Sequence, residues 1–440
     1  MKNKNIYGVT LFAMVALFSL SGWTEDKQIG SDQSGQKVFE KVQPFAFKVK
    51  TSPSADSPQA SYGTGFVIDK QGLIISNYHV VSDSIIEPEK NKIFVIVDDK
   101  PLPGRILAVD VVHDISLIKI DKTFEKALLV ANKKPGQGEP IYAIGQPEDL
   151  NMSIVAGTYN NELDFGSYNI IHLSAPINSG MSGGPTVNQN GELIGVNVSK
   201  LLSASNVSFS VPARFALELY AKNKDLTKHE GLYWEEIQKQ LVDLQQILAS
   251  DILKSAEQNK RFHGWNLPEL PKTLKCWSVG NDTDRKEKEL YDTFEETCDL
   301  QHSAYLSSAV QSGTYNFSIQ NFENKKLNGW QFYELLSGDK MTLAFRDSYY
   351  RSFSKKEKLT TKGDCVSKVI VGKNAIPFKV AYCARAYAHF PLLQDAHIGI
   401  RSVDGVKDAL AADISLAGFT KENISKIVKT YVEQISRGDK

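Results

Sequence analysis

One serine of this sequence stands among glycines in a pattern that could build a nucleophile. Ser182 lies between Gly180 on one side and Gly183 and Gly184 on the other. Glycine costs conformational entropy on folding, and its use is explained where the backbone turns tightly or approaches another group closely. If the Ser182 hydroxyl attacks a carbonyl, the N–H groups of Gly180 and Ser182 can converge on the oxyanion, where losing one donor costs about 3–4 kcal/mol. The alternative is a glycine-rich surface turn without chemistry.

Two upstream segments could supply the partners of such a serine. His79 follows the apolar run 72–75, which reads as a strand, so His79 is expected at a strand end. Asp114 directly precedes an alternation of apolar and polar residues over 115–120, which is typical of a half-buried strand. Alone, each residue has a simpler structural or turn role. Together with Ser182 they follow the chain order of the chymotrypsin-like Ser-His-Asp triad, which differs from that of subtilisin or the α/β-hydrolases.

Five stretches in this order resemble the HtrA-type branch of trypsin-like serine proteases, over about residues 61–215. The stretches are 63–68 (GTGFVI), 76–81 (SNYHVV), 114–120 (DISLIKI), 143–147 (AIGQP) and 174–198. The triad chemistry implied is acyl transfer, with His79 as the general base for Ser182 and Asp114 holding the imidazole in the right tautomer. Such a reaction needs no metal and no cofactor, and its partners are protein or peptide substrates.

The resemblance also indicates where the residue before the scissile bond would bind. Pro176 stands six positions before Ser182, where trypsin-like enzymes that cleave after basic residues carry an Asp. The wall of this substrate pocket is expected from Asn197, Val198 and Ser199. Since none of these side chains offers a charge, the sequence predicts a preference for a small or medium aliphatic residue.

Composition sets the class of protein. The 440 residues include 51 basic and 51 acidic side chains and are 42% hydrophobic. The length predicts two to three domains. The balanced charge gives no electrostatic reason to expect nucleic acid as a partner.

The first 22 residues have the pattern of a secretory signal peptide. Lys2 and Lys4 precede the apolar run 9–20, and small residues follow, so cleavage is expected after Ser21 or Gly22. The run is too short to span a bilayer. No Cys follows it to carry a lipid anchor. We therefore expect an exported protein, periplasmic or secreted, with no stable membrane anchor after signal cleavage.

The arrangement of predicted elements favours a multidomain chain. Short, evenly spaced strands over 36–222 indicate an all-β double barrel, as in chymotrypsin and trypsin, with a polar loop expected at 158–167. Apolar residues at helical spacing then indicate one long amphipathic helix over 230–263. The rest, 272–440, reads as an α+β C-terminal domain with strands that include 341–345.

All four cysteines fall in this C-terminal domain, at Cys276, Cys298, Cys365 and Cys383. An even number in an exported chain favours disulfides, and the absence of C-x-x-C spacing argues against zinc. Of three possible connectivities, the sequence-local one is predicted, pairing Cys276 with Cys298 and Cys365 with Cys383.

The sequence leaves the role of residues 230–440 open. HtrA-type proteases usually carry PDZ domains here, and no motif for one is found. Because the triad candidates all precede residue 185, the C-terminal region is expected to be separable from the chemistry. A rival function is a catalytically silent binding or chaperone-like module on a protease scaffold. The physiological substrate and the oligomeric state are not indicated.

Overall fold

The computed structural model describes most of the chain. The described residues are 33–147, 150–164, 166, 168–198, 207–227, 233–279, 290–307, 310–337, 359–361, 363–372, 375–403 and 405–438. The predicted signal peptide (1–22), the predicted strand at 341–345 and the pocket candidate Ser199 lie outside them.

A first closed barrel has the strand order β1-β2-β3-β6-β5-β4. Its strands are β1 (Ala46–Ser52), β2 (Ser61–Asp69), β3 (Leu73–Ser76), β4 (Lys92–Val97), β5 (Lys100–Asp110) and β6 (Ile115–Ile120). A 3₁₀ turn, Gln43–Phe45, leads into β1, and a helix that we number α2 (Tyr78–Ile86) follows β3. His79 therefore lies in the first turn of this helix, just beyond the strand end that the sequence predicts.

A second closed barrel has the order β10-β11-β12-β9-β8-β7, which confirms the predicted double barrel. Its strands are β7 (Pro140–Gly145), β8 (Ser153–Asp164), β9 (Asn169–Leu173), β10 (Pro185–Asn188), β11 (Leu193–Val198) and β12 (Ser208–Pro212). The prediction of a polar loop at 158–167 is wrong over most of this range. Residues up to Asp164 continue β8, because they pair with β9 while their polar side chains stay partly exposed.

Two helices close the double barrel. Helix α1 (Gln33–Val42) precedes β1, and α3 (Ala213–Asn223) follows β12. The sequence predicts strands over 36–222 and no helix at the start of this range. The signal for α1 is the pair Val38 and Val42, four residues apart and both buried in the core that the two barrels share.

The C-terminal region is built on a seven-stranded antiparallel sheet with the order β15-β16-β19-β23-β22-β21-β20. Its elements are α4 (Tyr233–Ser255), β13 (Asn259–Phe262), β14 (Trp265–Pro268), β15 (Leu274–Val279), β16 (Tyr291–Leu300), β17 (Ala304–Tyr305), β18 (Gln311–Ser312), β19 (Thr314–Asn324), α5 (Gly329–Ser337), β20 (Asp364–Val371), β21 (Pro377–Ala386), β22 (Gln394–Ser402), β23 (Asp408–Phe419), α6 (Lys421–Gln434) and β24 (Ser436–Arg437). The predicted long helix ends earlier than expected, since 259–262 pairs with β14 as a strand.

Both predicted disulfides are confirmed. Cys276 is bonded to Cys298, and Cys365 to Cys383. In each pair the two residues lie directly opposite each other on adjacent antiparallel strands, with 4.0 Å between their Cα atoms. No helix in the part of the chain that the structure describes is long and apolar enough to span a bilayer.

The C-terminal region and the first barrel share one hydrophobic core. A single cluster of buried side chains includes Val109 of β5, Leu241 of α4 and Leu416 of β23. Polar contacts add to it, since the Gln240 side chain donates to the Val109 carbonyl and accepts from the Val111 amide, both at 2.8 Å. The C-terminal region and the first barrel therefore share buried surface, and the separability of the C-terminal region from the chemistry stays a prediction.

Candidate active site

Two neighbouring strands of the first barrel bring His79 and Asp114 together. β3 and β6 pair antiparallel, with Ser76 opposite Ser116. Residues that follow β3 and residues that precede β6 therefore lie at the same barrel edge. Asp114 takes a left-handed backbone conformation, with φ of 55°, which a short polar residue tolerates better than most.

The carboxylate of Asp114 holds His79 at two points. Asp114 Oδ2 lies 2.6 Å from His79 Nδ1, and Oδ1 accepts a hydrogen bond from the His79 backbone amide at 2.9 Å. The Asp114 carbonyl accepts from the Tyr78 amide at 3.1 Å and from the Asn77 side chain at 2.8 Å. Both residues of the pair are buried. This arrangement favours the tautomer with its proton on Nδ1 and leaves Nε2 to act as a base.

The loop that carries Ser182 comes from the second barrel and packs against the first. The carbonyl of Ser182 accepts a hydrogen bond from the Thr64 amide, and the carbonyl of Gly180 accepts one from the Thr64 hydroxyl, both at 2.8 Å. The Thr64 hydroxyl oxygen in turn accepts from the Gln146 amide at 2.9 Å. Thr64 of β2 therefore fixes the loop on the side of the first barrel.

Gly183 allows the closest approach between the two barrels. Its φ is 84°, and a Cβ at this position would lie 2.3 Å from the Thr64 carbonyl oxygen, 2.4 Å from Ser76 Oγ and 2.7 Å from the Asn77 amide nitrogen. Asn77 is two residues from His79, so this contact sets the loop of Ser182 beside the element that carries the imidazole. Gly180 also has a positive φ, 87°, a backbone region open mainly to glycine.

The predicted pocket residues have different environments. Pro176 is exposed, whereas Val198 is buried in the core between the barrels. Asn197 is fully buried, and its side chain donates to the Ile144 carbonyl at 2.9 Å and accepts from the Thr186 hydroxyl at 2.5 Å. The same amide also donates to the carbonyl of Met181, next to Ser182, at 3.3 Å.

Residues that the sequence analysis did not select surround the Asp–His pair. Tyr78 and Tyr168 are buried beside it, and burial together with the charge of Asp114 raises the pKa of both hydroxyls well above the usual value. A second pair, His113 and Asp110, has 2.7 Å between Nδ1 and Oδ2. The His113 ring stacks on Phe215 with 3.6 Å between centroids. No short-range pattern of the sequence marks these contacts.

The barrel region of the chain is similar to known proteins. The profile of the trypsin-like peptidase domain matches residues 63–196. The protease Do-like 14 of Arabidopsis thaliana is 36% identical over 165 residues, which is 34% of this chain and 38% of that protein. A DegP-like periplasmic serine endoprotease of Brucella suis is 30% identical over 182 residues, covering 39% and 34% of the two chains. This chain therefore spans less than half of the length of these relatives.

A solved structure is similar to half of the chain. The active form of the Rv3671c protease from M. tuberculosis covers 50% of this chain and 98% of its own, with 20% identity and a TM-score of 0.40. The similarity of this chain to proteases rests on the family profile and on the relatives' sequences. Residues 63–196 of this chain match the trypsin-like peptidase domain, and the relatives that match include proteins named as HTRA1A and DegP-like serine proteases.

Proposed function

We propose that this chain is a serine endopeptidase that hydrolyses peptide bonds through Ser182, His79 and Asp114. The observation that carries the proposal is the pair of hydrogen bonds between Asp114 and His79. The Asp114 carboxylate lies 2.6 Å from His79 Nδ1 and 2.9 Å from the His79 amide nitrogen, and the loop of Ser182 packs beside this pair. A buried carboxylate bonded to Nδ1 prepares the other ring nitrogen to accept a proton. The alternative is a glycine-rich surface turn at 180–184. It does not account for the burial of these residues or of the Asp114–His79 pair.

The proposed reaction proceeds by acyl transfer. His79 takes the proton of the Ser182 hydroxyl as the oxygen attacks the scissile carbonyl, and the tetrahedral oxyanion is bound by the N–H groups of Gly180 and Ser182. The protonated imidazole, stabilised by Asp114, then gives its proton to the leaving amine. Water repeats the sequence on the acyl-enzyme and restores Ser182. Each step is carried by side chains and amides of this chain, without a metal or cofactor.

The substrate preference that we propose rests on Pro176. This exposed residue occupies the position where an Asp would select Lys or Arg, and it offers no charge. A small or medium aliphatic residue before the scissile bond fits such a site better than a basic one. Cleavage rates on peptides that differ only in this residue, Val or Ala against Lys, test the preference.

We also propose that the protein works outside the cytoplasm. The two disulfides, the signal-like residues 1–22 and the periplasmic DegP-like relative support export. Cell fractionation followed by N-terminal sequencing of the mature chain tests this point. A mature protein that begins at Met1 in the cytoplasm would contradict it.

Casein degradation by the purified full chain tests the peptidase proposal. Wild type is expected to degrade casein, while Ser182→Ala and His79→Ala are expected to be inactive yet folded, as judged by a cooperative thermal transition. If wild type binds casein without cleaving it, the rival binding or chaperone-like function is favoured. Undiminished cleavage by Ser182→Ala would remove the proposed nucleophile.

A further inference from the structure

A short segment of the C-terminal region lies against the catalytic pair. Residues 302–307, which include β17, are all buried. The Tyr305 ring is only 4% exposed, and its centroid lies 5.3 Å from that of the His79 ring, with 47° between the ring planes. Burial, and secondarily the charge of Asp114, raises the pKa of the Tyr305 hydroxyl. Tyr305 therefore packs against the imidazole of the pair.

The same segment contacts each barrel next to the pair. The carbonyl of Leu306 accepts a hydrogen bond from the buried Tyr78 hydroxyl at 2.9 Å, and Tyr78 is the chain neighbour of His79 on α2. On the other side, the His302 ring meets Tyr168 of the second barrel edge-on, with 4.7 Å between centroids. The segment thus bridges the two barrels at the catalytic centre.

The segment is held from behind by the C-terminal sheet. β17 pairs with β18, so that Tyr305 lies opposite Gln311. Gly313, which follows β18, donates its amide to the Ala417 carbonyl of β23 at 2.9 Å. A Cβ on Gly313 would lie 2.5 Å from the Leu244 side chain of α4, which shows how closely the turn is packed. A segment anchored in this way can restrain the groups that it touches.

We propose that Tyr305 is a positioning residue, through which the C-terminal region holds the His79 imidazole on Asp114 and keeps water from the bond between them. A hydrogen bond between charged partners is stronger where water is excluded. An imidazole that can tilt away from its bonding position loses the alignment on which proton transfer depends. Tyr305 itself exchanges no proton and acts only through His79. The inference rests on the proposed peptidase function.

The test uses the full-length protein with Tyr305→Ala and Tyr305→Phe. The probes are a fluorophosphonate, for the labelling rate of Ser182, and a short peptide with an aliphatic residue before the cleaved bond, for kcat and KM. Tyr305→Ala is expected to lower kcat and the labelling rate about 10- to 100-fold with KM close to wild type, as misalignment at a catalytic group does. Tyr305→Phe keeps the ring and is expected to restore near-wild-type rates.

Tyr431→Ala is a matched control for lost packing. Tyr431 is equally buried, but it lies on α6 and stacks on Phe317. Its truncation is expected to lower the thermal midpoint without lowering kcat when assayed well below that midpoint. If Tyr305→Ala does not fold, Tyr305→Leu fills the volume without a planar ring, and a reduced kcat is again expected.

The outcomes separate this inference from the proposed function. Wild type that fails to label on Ser182 would refute the peptidase proposal itself. Wild type that labels, together with a folded Tyr305→Ala or Tyr305→Leu that labels at the same rate, would overturn only the role of Tyr305. Faster labelling of either variant would also overturn it, because Tyr305 would then cover the site and hinder access.

Discussion

Both carboxylate oxygens of Asp114 are bonded to the same residue, His79, one through the ring Nδ1 and one through the backbone amide. Asp114→Asn keeps the size and shape of the side chain. It replaces the carboxylate, which accepts the Nδ1 proton and stabilises the charged imidazole, with a neutral amide that can donate a hydrogen bond to Nδ1. The wrong tautomer is then favoured, and kcat is expected to fall by about 10⁴-fold. Steady-state cleavage of a short peptide measures this loss.

The neighbouring pair provides a matched control for that substitution. Asp110 contacts His113 through the same two atoms, the ring Nδ1 at 2.7 Å and the backbone amide at 3.0 Å. Asp110→Asn is expected to leave kcat close to that of wild type. Equal losses from the two substitutions would mean that Asp114 acts only by stabilising the fold.

A second prediction concerns the contact between the barrels at Gly183. In Gly183→Ala the new Cβ meets backbone atoms of the first barrel within 2.7 Å, so the loop of Ser182 must move away from the His79 element. Turnover is expected to fall below detection, as followed by casein degradation.

Gly138→Ala separates this steric effect from backbone strain. Gly138 has a φ of 87°, nearly that of Gly183, but a Cβ there meets no atom of the described chain within 4 Å. This control should cost only the strain of a left-handed alanine, about 1–2 kcal/mol of unfolding free energy, and retain kcat. Full activity of Gly183→Ala would contradict the close docking of the loop.

The sequence predicts the parts of the site that local constraints determine. Gly180, Gly183 and Gly184 have backbone conformations or close approaches that favour glycine, so the glycine-rich loop of Ser182 is visible in the sequence. The resemblance of the five stretches, together with the short, evenly spaced strands, then predicts the double barrel. The disulfide pairing is predictable because each pair is local in the sequence. In the structure, each pair joins two adjacent antiparallel strands.

Contacts between distant segments could not be predicted. Tyr305 lies on a two-residue strand that has no periodic signal, and its contact with His79 depends on how the C-terminal sheet packs on the first barrel. Asn197 stays a predicted pocket residue, and the burial of its amide against Ile144 and Thr186 could not be predicted because neither residue is adjacent in the chain.

A third prediction concerns acid stability at the segment beside the active site. Burial, and secondarily the charge of His113, lowers the pKa of His302 from 6.5 to about 3. As the pH falls below 6.5, His302 binds a proton in the unfolded chain but stays neutral in the folded chain. The stability associated with a neutral His302 is therefore complete above pH 6.5 and is lost progressively from there down to about pH 3. At pH 5 the loss is about 2 kcal/mol.

Urea unfolding at pH 7.5 and pH 5 measures this effect. His302→Phe cannot titrate and keeps an aromatic ring against Tyr168, so the stability difference between the two pH values is expected to shrink by about 2 kcal/mol. Some acid sensitivity should remain, because burial also lowers the pKa of His397 to about 4. The same substitution at the exposed His389 is the control. An unchanged pH dependence in His302→Phe would contradict the assignment.

The most direct test of the account is covalent labelling of the folded full-length protein with a fluorophosphonate, followed by intact mass measurement and peptide mapping. We expect one adduct per chain, on the peptide that contains Ser182. No adduct is expected when the protein is heat-denatured before labelling, and none is expected in Ser182→Ala. An adduct on another residue, or labelling of Ser182→Ala at the wild-type rate, would contradict the claim that Ser182 is the nucleophile.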